Sequence, residues 1–229
     1  MKQITASLYQ ISLGVVNVFI IKDRNGLTLV DTGYQGSSVR IFTALHEAGE
    51  DPASIRQIVL THCHPDHAGS AAVISRELGI PVWVHEQEAA LLEKGIAGTA
   101  PIHRSPGVIN WLIYNLIIKR GGSAIEAVTA GRRLVDQEVL PIADGLQVLH
   151  TPGHSSGHIA LWLKQEGVLI AGDLCAHVMG LDFSTVYEDR ALGVKSILDV
   201  AQLPFDKAVF GHGRLLAPNA NQKLIARFS

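Results

Sequence analysis

Four metal-ligand side chains, His62, His64, Asp66 and His67, stand within the six residues His62-Cys63-His64-Pro65-Asp66-His67. Imidazole and carboxylate donors suit zinc, with iron or manganese as alternatives. In extended chain His62 and His64 point the same way, because side chains alternate with a period of two. Pro65 fixes a turn. Asp66 and His67 then lie where a helix begins, displaced from the first pair and able to hold a second ion beside it. The block follows Ile58-Val59-Leu60, which reads as a buried strand. It precedes Ala68 to Ile74, which reads as the first turns of a helix. A loop at the carboxyl end of a strand is where α/β proteins keep their chemistry.

Further donors follow strands in the same way. Leu146 to His150 reads as a strand and runs into a Gly-bounded loop, Thr151 to His158, that carries His154. Val168 to Gly172 reads as a buried strand ending at Asp173. Ala208-Val209-Phe210 is a short strand ending at Gly211-His212-Gly213. His158 opens the next strand, Ile159 to Leu163, and reads as structural. Asp31 ends the strand Leu27 to Val30 and reads as a support behind the ligands, since a better ligand set exists without it. His46 sits on a helix away from other donors and reads as a surface residue.

The elements that must position these groups alternate along the chain. Residues 1–11 read as one or two short strands and Val15 to Ile21 as a clear one, with Asn25-Gly26 as a hairpin turn. A helix capped by Ser37 or Ser38 runs to about His46. The helix after the histidine block stops at Leu78-Gly79. Pro81 to Val84 is a strand, Glu86 to Lys94 a helix, Glu188 to Leu203 a helix, and Asn219 to Phe228 a closing helix. Two mixed sheets facing each other, with helices outside, would bring every donor loop to one edge. The expected fold class is therefore α/β, as one domain over 1–229.

Residues 95–135 interrupt the alternation. Val108 to Ile118, after a helix start at Ser105-Pro106, is apolar nearly all round, which a surface helix should not be. This helical insertion predicts either a lid over the site, with Trp111 and Tyr114 toward an apolar substrate group, or a contact in a homodimer.

Composition narrows the partners. The net charge is −2 and no Lys/Arg-rich tract occurs, which argues against nucleic acid. The two cysteines, Cys63 and Cys175, do not make a disulfide framework. The amino terminus lacks the apolar core of a signal peptide, and no apolar run reaches the ~18 residues of a membrane span. A cytoplasmic protein with a small-molecule substrate is expected.

The His-x-His-x-Asp-His block, followed by separate His154, Asp173 and His212, resembles the metallo-β-lactamase fold superfamily. The resemblance covers the whole chain except the variable stretch 95–135. It implies an αββα sandwich with a dinuclear centre of two zinc ions. In that likeness His62, His64 and His154 hold the first metal, Asp66, His67 and His212 hold the second, and Asp173 bridges them. True zinc β-lactamases lead one to expect Cys where this chain has Asp173, which argues against antibiotic hydrolysis. Flavin-linked diiron members carry Glu at the position of His64. Glyoxalase II enzymes add a carboxyl-terminal glutathione-binding domain, for which the 17 residues after His212 are too few.

The resemblance implies hydrolysis of an ester, lactone or thioester by a bridging hydroxide, because two metals can lower the pKa of a shared water toward 7. Asp66 and Asp173 are the expected catalytic carboxylates, Asp66 orienting the water and Asp173 setting the metal separation. Tyr187 and His177 follow Asp173 closely and are candidate substrate contacts. The alternatives are a single iron running dioxygenase chemistry, as in persulfide dioxygenases of the superfamily, and phosphodiester cleavage.

Overall fold

Adjacent residues of one strand go to opposite sides of its sheet: Val18 and Ile20 pack in one apolar layer, Phe19 and Ile21 in another. This period of two, repeated on strand after strand, generates the architecture. A computed structural model describes residues 1–98, 102–116, 118–120, 122 and 124–229.

The amino-terminal half runs β1 (Lys2–Gln3), β2 (Leu8–Ser12), β3 (Asn17–Asp23), β4 (Gly26–Val30), α1 (Ser38–Glu47) and β5 (Ile55–Val59). It continues with α2 (Pro65–Ala68), α3 (Ala71–Leu78), β6 (Val82–His85), α4 (Glu86–Lys94), β7 (His103–Arg104), α5 (Val108–Leu116) and β8 (Ala130–Leu134). The carboxyl-terminal half runs β9 (Val139–Leu140), β10 (Leu146–His150), β11 (Ile159–Leu163), β12 (Val168–Ile170), β13 (Ala176–His177) and β14 (Leu181–Asp182). It closes with β15 (Val186–Tyr187), α6 (Arg190–Val200), β16 (Lys207–Val209) and α7 (Ala220–Phe228).

One mixed sheet orders its strands β1-β2-β3-β4-β5-β6-β8, antiparallel up to β4 and parallel beyond. The other orders them β16-β12-β11-β10-β9, with β16 parallel to β12 and the rest antiparallel.

Three apolar layers follow. Val18, Ile20, Leu29 and Ile58 meet Ile41 and Leu45 of α1, Ile74 of α3 and Leu92 of α4. Phe19, Ile21, Val30 and Val59 meet Val148, Leu161, Ile170 and Val209 between the sheets. Ala160, Trp162, Leu169 and Ala208 meet Ile197 and Val200 of α6 and Leu224 and Phe228 of α7. Each large side chain so buried stabilises by roughly 1.5–3 kcal/mol, so the middle layer is what holds the sheets face to face. The result is the expected αββα sandwich. The carboxyl ends of β4, β5, β10, β12 and β16 lead into the segments that carry Asp31, His62 to His67, His154, Asp173 and His212.

The structure departs from the sequence reading in detail. The helix after the histidine block breaks into α2 and α3. Gly69 stands at the break because a Cβ there would collide with the Pro65 carbonyl and lie 2.5 Å from the Gln35 nitrogen. The first hairpin turns over Arg24 and Asn25, since Asp23 pairs with Gly26. The strand pattern returns at Ala130 rather than Val135, and β8 pairs in parallel with β6, so the 95–135 stretch also supplies part of the first sheet. The helix expected over 188–203 is Arg190–Val200, started by Asp189, whose carboxylate accepts from Leu192 N at 3.0 Å. Of the helix expected over 108–118, Val108–Leu116 is formed and no residue in it is buried. Ile117 lies outside the described residues. No helix among the described residues is long and apolar enough to cross a membrane.

The crowding at Gly69 is backbone against backbone, so it has no flexible side chain to relieve it. Gly69→Ala should lower stability by about 1–3 kcal/mol, the range for overpacking a filled site. Denaturant unfolding measures this as a lower midpoint at unchanged slope. A wild-type midpoint would show that the 34–35 loop simply moves aside.

Candidate metal centre

Seven of the residues singled out above converge. His64 Nδ1 lies 3.0 Å from His154 Nε2, although the two residues are 90 positions apart. His212 Nε2 lies 3.2 Å from Asp66 Oδ2. Asp173 stands between: its Oδ1 is 3.4 Å from His67 Nε2, and its Oδ2 is 3.6 Å from His154 Nε2 and 3.3 Å from His212 Nε2. Three overlapping groups each bring their donor atoms within 4.8 Å of one another: His62, His64 and His154; His62, His67 and Asp173; Asp66, His67 and His212.

The outer hydrogen bonds decide which ring nitrogen faces inward. His67 Nδ1 donates to Asp31 Oδ2 at 2.8 Å, His154 Nδ1 to the Val186 carbonyl at 2.8 Å and His212 Nδ1 to the Val15 carbonyl at 2.7 Å. The Thr61 hydroxyl donates to Asp31 Oδ2 at 2.8 Å, so it accepts from His62 Nδ1 at 3.0 Å. Four rings are thus fixed with Nε2 toward the centre, the arrangement metal-ligating histidines use. His158 contrasts with them. Its Nδ1 meets Thr151 Oγ1 at 2.8 Å, and its Nε2 accepts from the Asp173 backbone N–H at 3.0 Å. Its lone pair is spent on orienting Asp173, which gives this histidine the structural role expected of it.

Electrostatics divide the cluster in two. Burial disfavours a charged imidazole. It dominates at His62 and His154, with neighbouring histidines adding to it, and holds both well below the usual imidazole value. Burial also lowers His64 and brings His158 to about 3. At His67 and His212 burial acts the same way but is outweighed by Asp173, with Asp31 and Asp66 assisting, so both rise well above the usual value. The carboxylates answer in kind. Burial pushes Asp66 and Asp173 up, yet His67 and His212 outweigh it and hold both below the ordinary carboxylate range.

These residues fit a metal ion. His62 Nε2, His67 Nε2 and Asp173 Oδ1 are buried without a hydrogen-bond partner among the described residues. Unpaired buried polar atoms are costly. Three of them aimed at one place, in a set of nitrogen and oxygen donors, match what a divalent cation would satisfy.

Other expected contacts fare differently. Tyr187 is fully buried, and its hydroxyl donates to the Leu174 carbonyl at 2.7 Å and accepts from Ser184 N at 3.2 Å. It braces the site rather than meeting a substrate, because proximity in sequence to Asp173 says nothing about direction. His177 is half-buried beside Phe210, its Nδ1 donating to the Arg214 carbonyl at 3.0 Å. Trp111 is exposed and Tyr114 half-buried on α5. Asp31 lies behind the His67 ring, bonded to its Nδ1 and also accepting from Thr61 N at 2.8 Å.

Two residues escaped the sequence reading. Tyr34 is half-exposed, its phenol pKa raised by burial and then by Asp66 and Asp173. Its carbonyl accepts from Ser70 Oγ at 2.6 Å, which ties it beside α2. Glu88 is buried beneath both histidine loops. The Asp31-Thr32-Gly33-Tyr34 turn carried a signal for the first; nothing local marked the second.

Because Asp173, Asp31 and Asp66 keep protons on His67 and His212, a metal ion must expel those protons to bind. Zinc added to the metal-free protein at pH 7 should release protons, and its affinity should strengthen as pH rises above about 6.5. Calorimetry in buffers of different ionisation enthalpy counts the protons. Binding with no release and a flat pH profile would contradict this charge assignment.

A model of the metallo-beta-lactamase superfamily matches residues 11–212. The probable metallo-hydrolase YflN of Bacillus subtilis (strain 168) is 25% identical over 224 residues, covering 90% of this chain and 83% of that protein. Hydroxyacylglutathione hydrolase GloC of Haemophilus influenzae is 23% identical over 154 residues, covering 66% of this chain and 62% of its own length. The crystal structure of a metallo-beta-lactamase family protein from Thermus thermophilus superposes with a TM-score of 0.70 at 26% identity, covering 96% of this chain and 79% of that one. With the sandwich, the converging histidine and aspartate side chains and this match over most of its length, the chain belongs to the metallo-β-lactamase superfamily.

Proposed function

We propose that this protein is a metal-dependent hydrolase of acyl esters, lactones or thioesters, working with two metal ions, zinc by donor preference. One observation carries the reading: Asp173 faces His67 with one oxygen and both His154 and His212 with the other, so a single carboxylate spans both donor groups. His62, His64 and His154 would hold one ion, and Asp66, His67 and His212 the other, with Asp173 shared. Metal ions in such a pair supply a water ionised near neutral pH and polarise the carbonyl under attack.

The chain's own groups do the rest. Asp31 and Thr61 hold His67 and His62 in one tautomer, so their inward lone pairs need no reorientation during turnover. The Val186 and Val15 carbonyls do the same for His154 and His212. Asp66 is partly exposed, with Oδ2 against His212, and orients the attacking water from the open side. Asp173, nearly buried and fixed through its backbone by His158, sets the spacing of the two groups.

An acyl-bearing substrate is favoured by α5. Val108 and Trp111 are 76% and 51% exposed, an apolar surface that water does not favour. The base of this helix is tied to the site: Thr185 Oγ1 donates to Asn110 Oδ1 at 3.3 Å, and Ser105 Oγ to the Ser184 carbonyl at 2.6 Å. Ser184 Oγ in turn donates to the Asp173 carbonyl at 2.7 Å. The Haemophilus relative is named a hydroxyacylglutathione hydrolase, and cleavage of an acylglutathione falls in the same reaction class.

Initial rates on a medium-chain acyl lactone and on a glutathione thioester test the reading. At least one should turn over, stop with a chelator, and fall on the order of 10³-fold in kcat/KM in Asp173→Ala, the several kcal/mol that metal activation supplies. Full activity in that variant would sink it. Trp111→Ala combined with Tyr114→Ala should raise KM for long acyl chains more than for short ones. An unchanged chain-length preference would remove α5 from the substrate site.

A further inference from the structure

Glu88 lies in the first turn of α4, is 1% exposed, and its carboxylate hydrogen-bonds to backbone and serine groups of the ligand loops. Its Oε2 accepts from the Cys63 backbone N–H at 3.0 Å. Its Oε1 accepts from Ser155 Oγ at 2.6 Å and from the Gly157 N–H at 3.2 Å. The Cys63 thiol donates to the Glu88 carbonyl at 3.7 Å. Cys63 stands between His62 and His64, and Ser155 follows His154. One carboxylate therefore joins the two loops that carry the three histidines of the first group, loops whose chain positions are about 90 residues apart.

The packing is built around this carboxylate. A Cβ at Gly157 would lie 2.5 Å from Glu88 Cγ, so the His154 loop can close onto α4 only because residue 157 is glycine. The second group, Asp66, His67 and His212, is held by other means, through Asp31 and the Val15 carbonyl. Asp31 also reaches His62 through Thr61 and so supports both groups, whereas the Glu88 carboxylate bonds only to the His62–His64 loop and the His154 loop.

We infer that Glu88 is a positioning residue for the first metal ion alone: it fixes the distance between the His62–His64 loop and the His154 loop, and so the fit of that group to its ion. The inference rests on the two-ion reading above. Both carboxylate oxygens face donors, so a glutamine at this position must turn its NH₂ toward either Cys63 N–H or Ser155 and Gly157. Glu88→Gln keeps the shape and breaks one side of the clamp.

The test is zinc binding to the metal-free full chain, in competition with a chelator, followed by NMR of the histidine ring nitrogens. His64 and His154 report the first group, and His212 reports the second. Glu88→Gln should weaken zinc at the first group about 10–100-fold, the range for partners that orient ligands, and leave the second within about threefold. Asp31→Asn, acting on His67 directly and on His62 through Thr61, should by contrast weaken both groups. Ser155→Ala, which removes one donor and leaves the carboxylate in place, should weaken the first group in the same direction by less, and serves where Glu88→Gln fails to fold. In the Glu88 or Ser155 variant, equal weakening of both groups, or of neither, overturns the role of Glu88. Wild-type protein that takes up a single zinc ion overturns instead the two-ion reading, and this inference with it.

Discussion

The Asp31 carboxylate is the interaction on which the rest depends. It accepts from Thr61 N, from the Thr61 hydroxyl and from His67 Nδ1 while fully buried. Through these bonds the end of β4 holds the start of the histidine block and, by way of Thr61, the His62 ring. Its own backbone sits at φ 60°, a left-handed conformation that aspartate tolerates better than most residues. Asp31 thus combines a short acceptor with a backbone bend, and that pairing turns the chain from the sheet toward α1 while leaving its carboxylate under the site.

The sandwich supplies what one residue cannot. Parallel pairing of β4 with β5, and of β12 with β16, sends their carboxyl ends the same way within each sheet. The layer of Phe19, Val30, Val59, Leu161 and Ile170 keeps the two sheets together. Donors from distant parts of the chain then meet at one edge, where burial strips them of water. Clustered histidines in that setting repel protons, whereas histidines paired with carboxylates retain them. The charge pattern of the metal-free cluster is what a pair of cations would reorganise.

Much of this was legible in the sequence because it is local or periodic. His62 to His67 is contiguous, and the strands before Asp173 and His212 end in recognisable loops. The nearly unbroken apolar runs Val15 to Ile21 and Ile159 to Leu163 announce strands buried on both faces. What stayed hidden depends on direction and on backbone partners. The carbonyls of Val15 and Val186, which fix His212 and His154, carry no sequence signal. Glu88 reads as one more acidic residue in Glu86-Gln87-Glu88, since nothing local says that α4 presents it inward. Tyr187 misled for the same reason: it is near Asp173 in sequence, but its hydroxyl turns to Leu174. In the 95–135 stretch the apolar pattern of α5 hid the return to strand at Ala130.

The central claim is that the two donor groups, joined by Asp173, each hold a metal ion. Anomalous X-ray diffraction at the zinc edge, from crystals of the protein loaded with zinc, tests it most directly. The account predicts two peaks, one among His62, His64 and His154 and one among Asp66, His67 and His212, both touching Asp173. A single peak, or none at these side chains in zinc-saturated crystals, would contradict it.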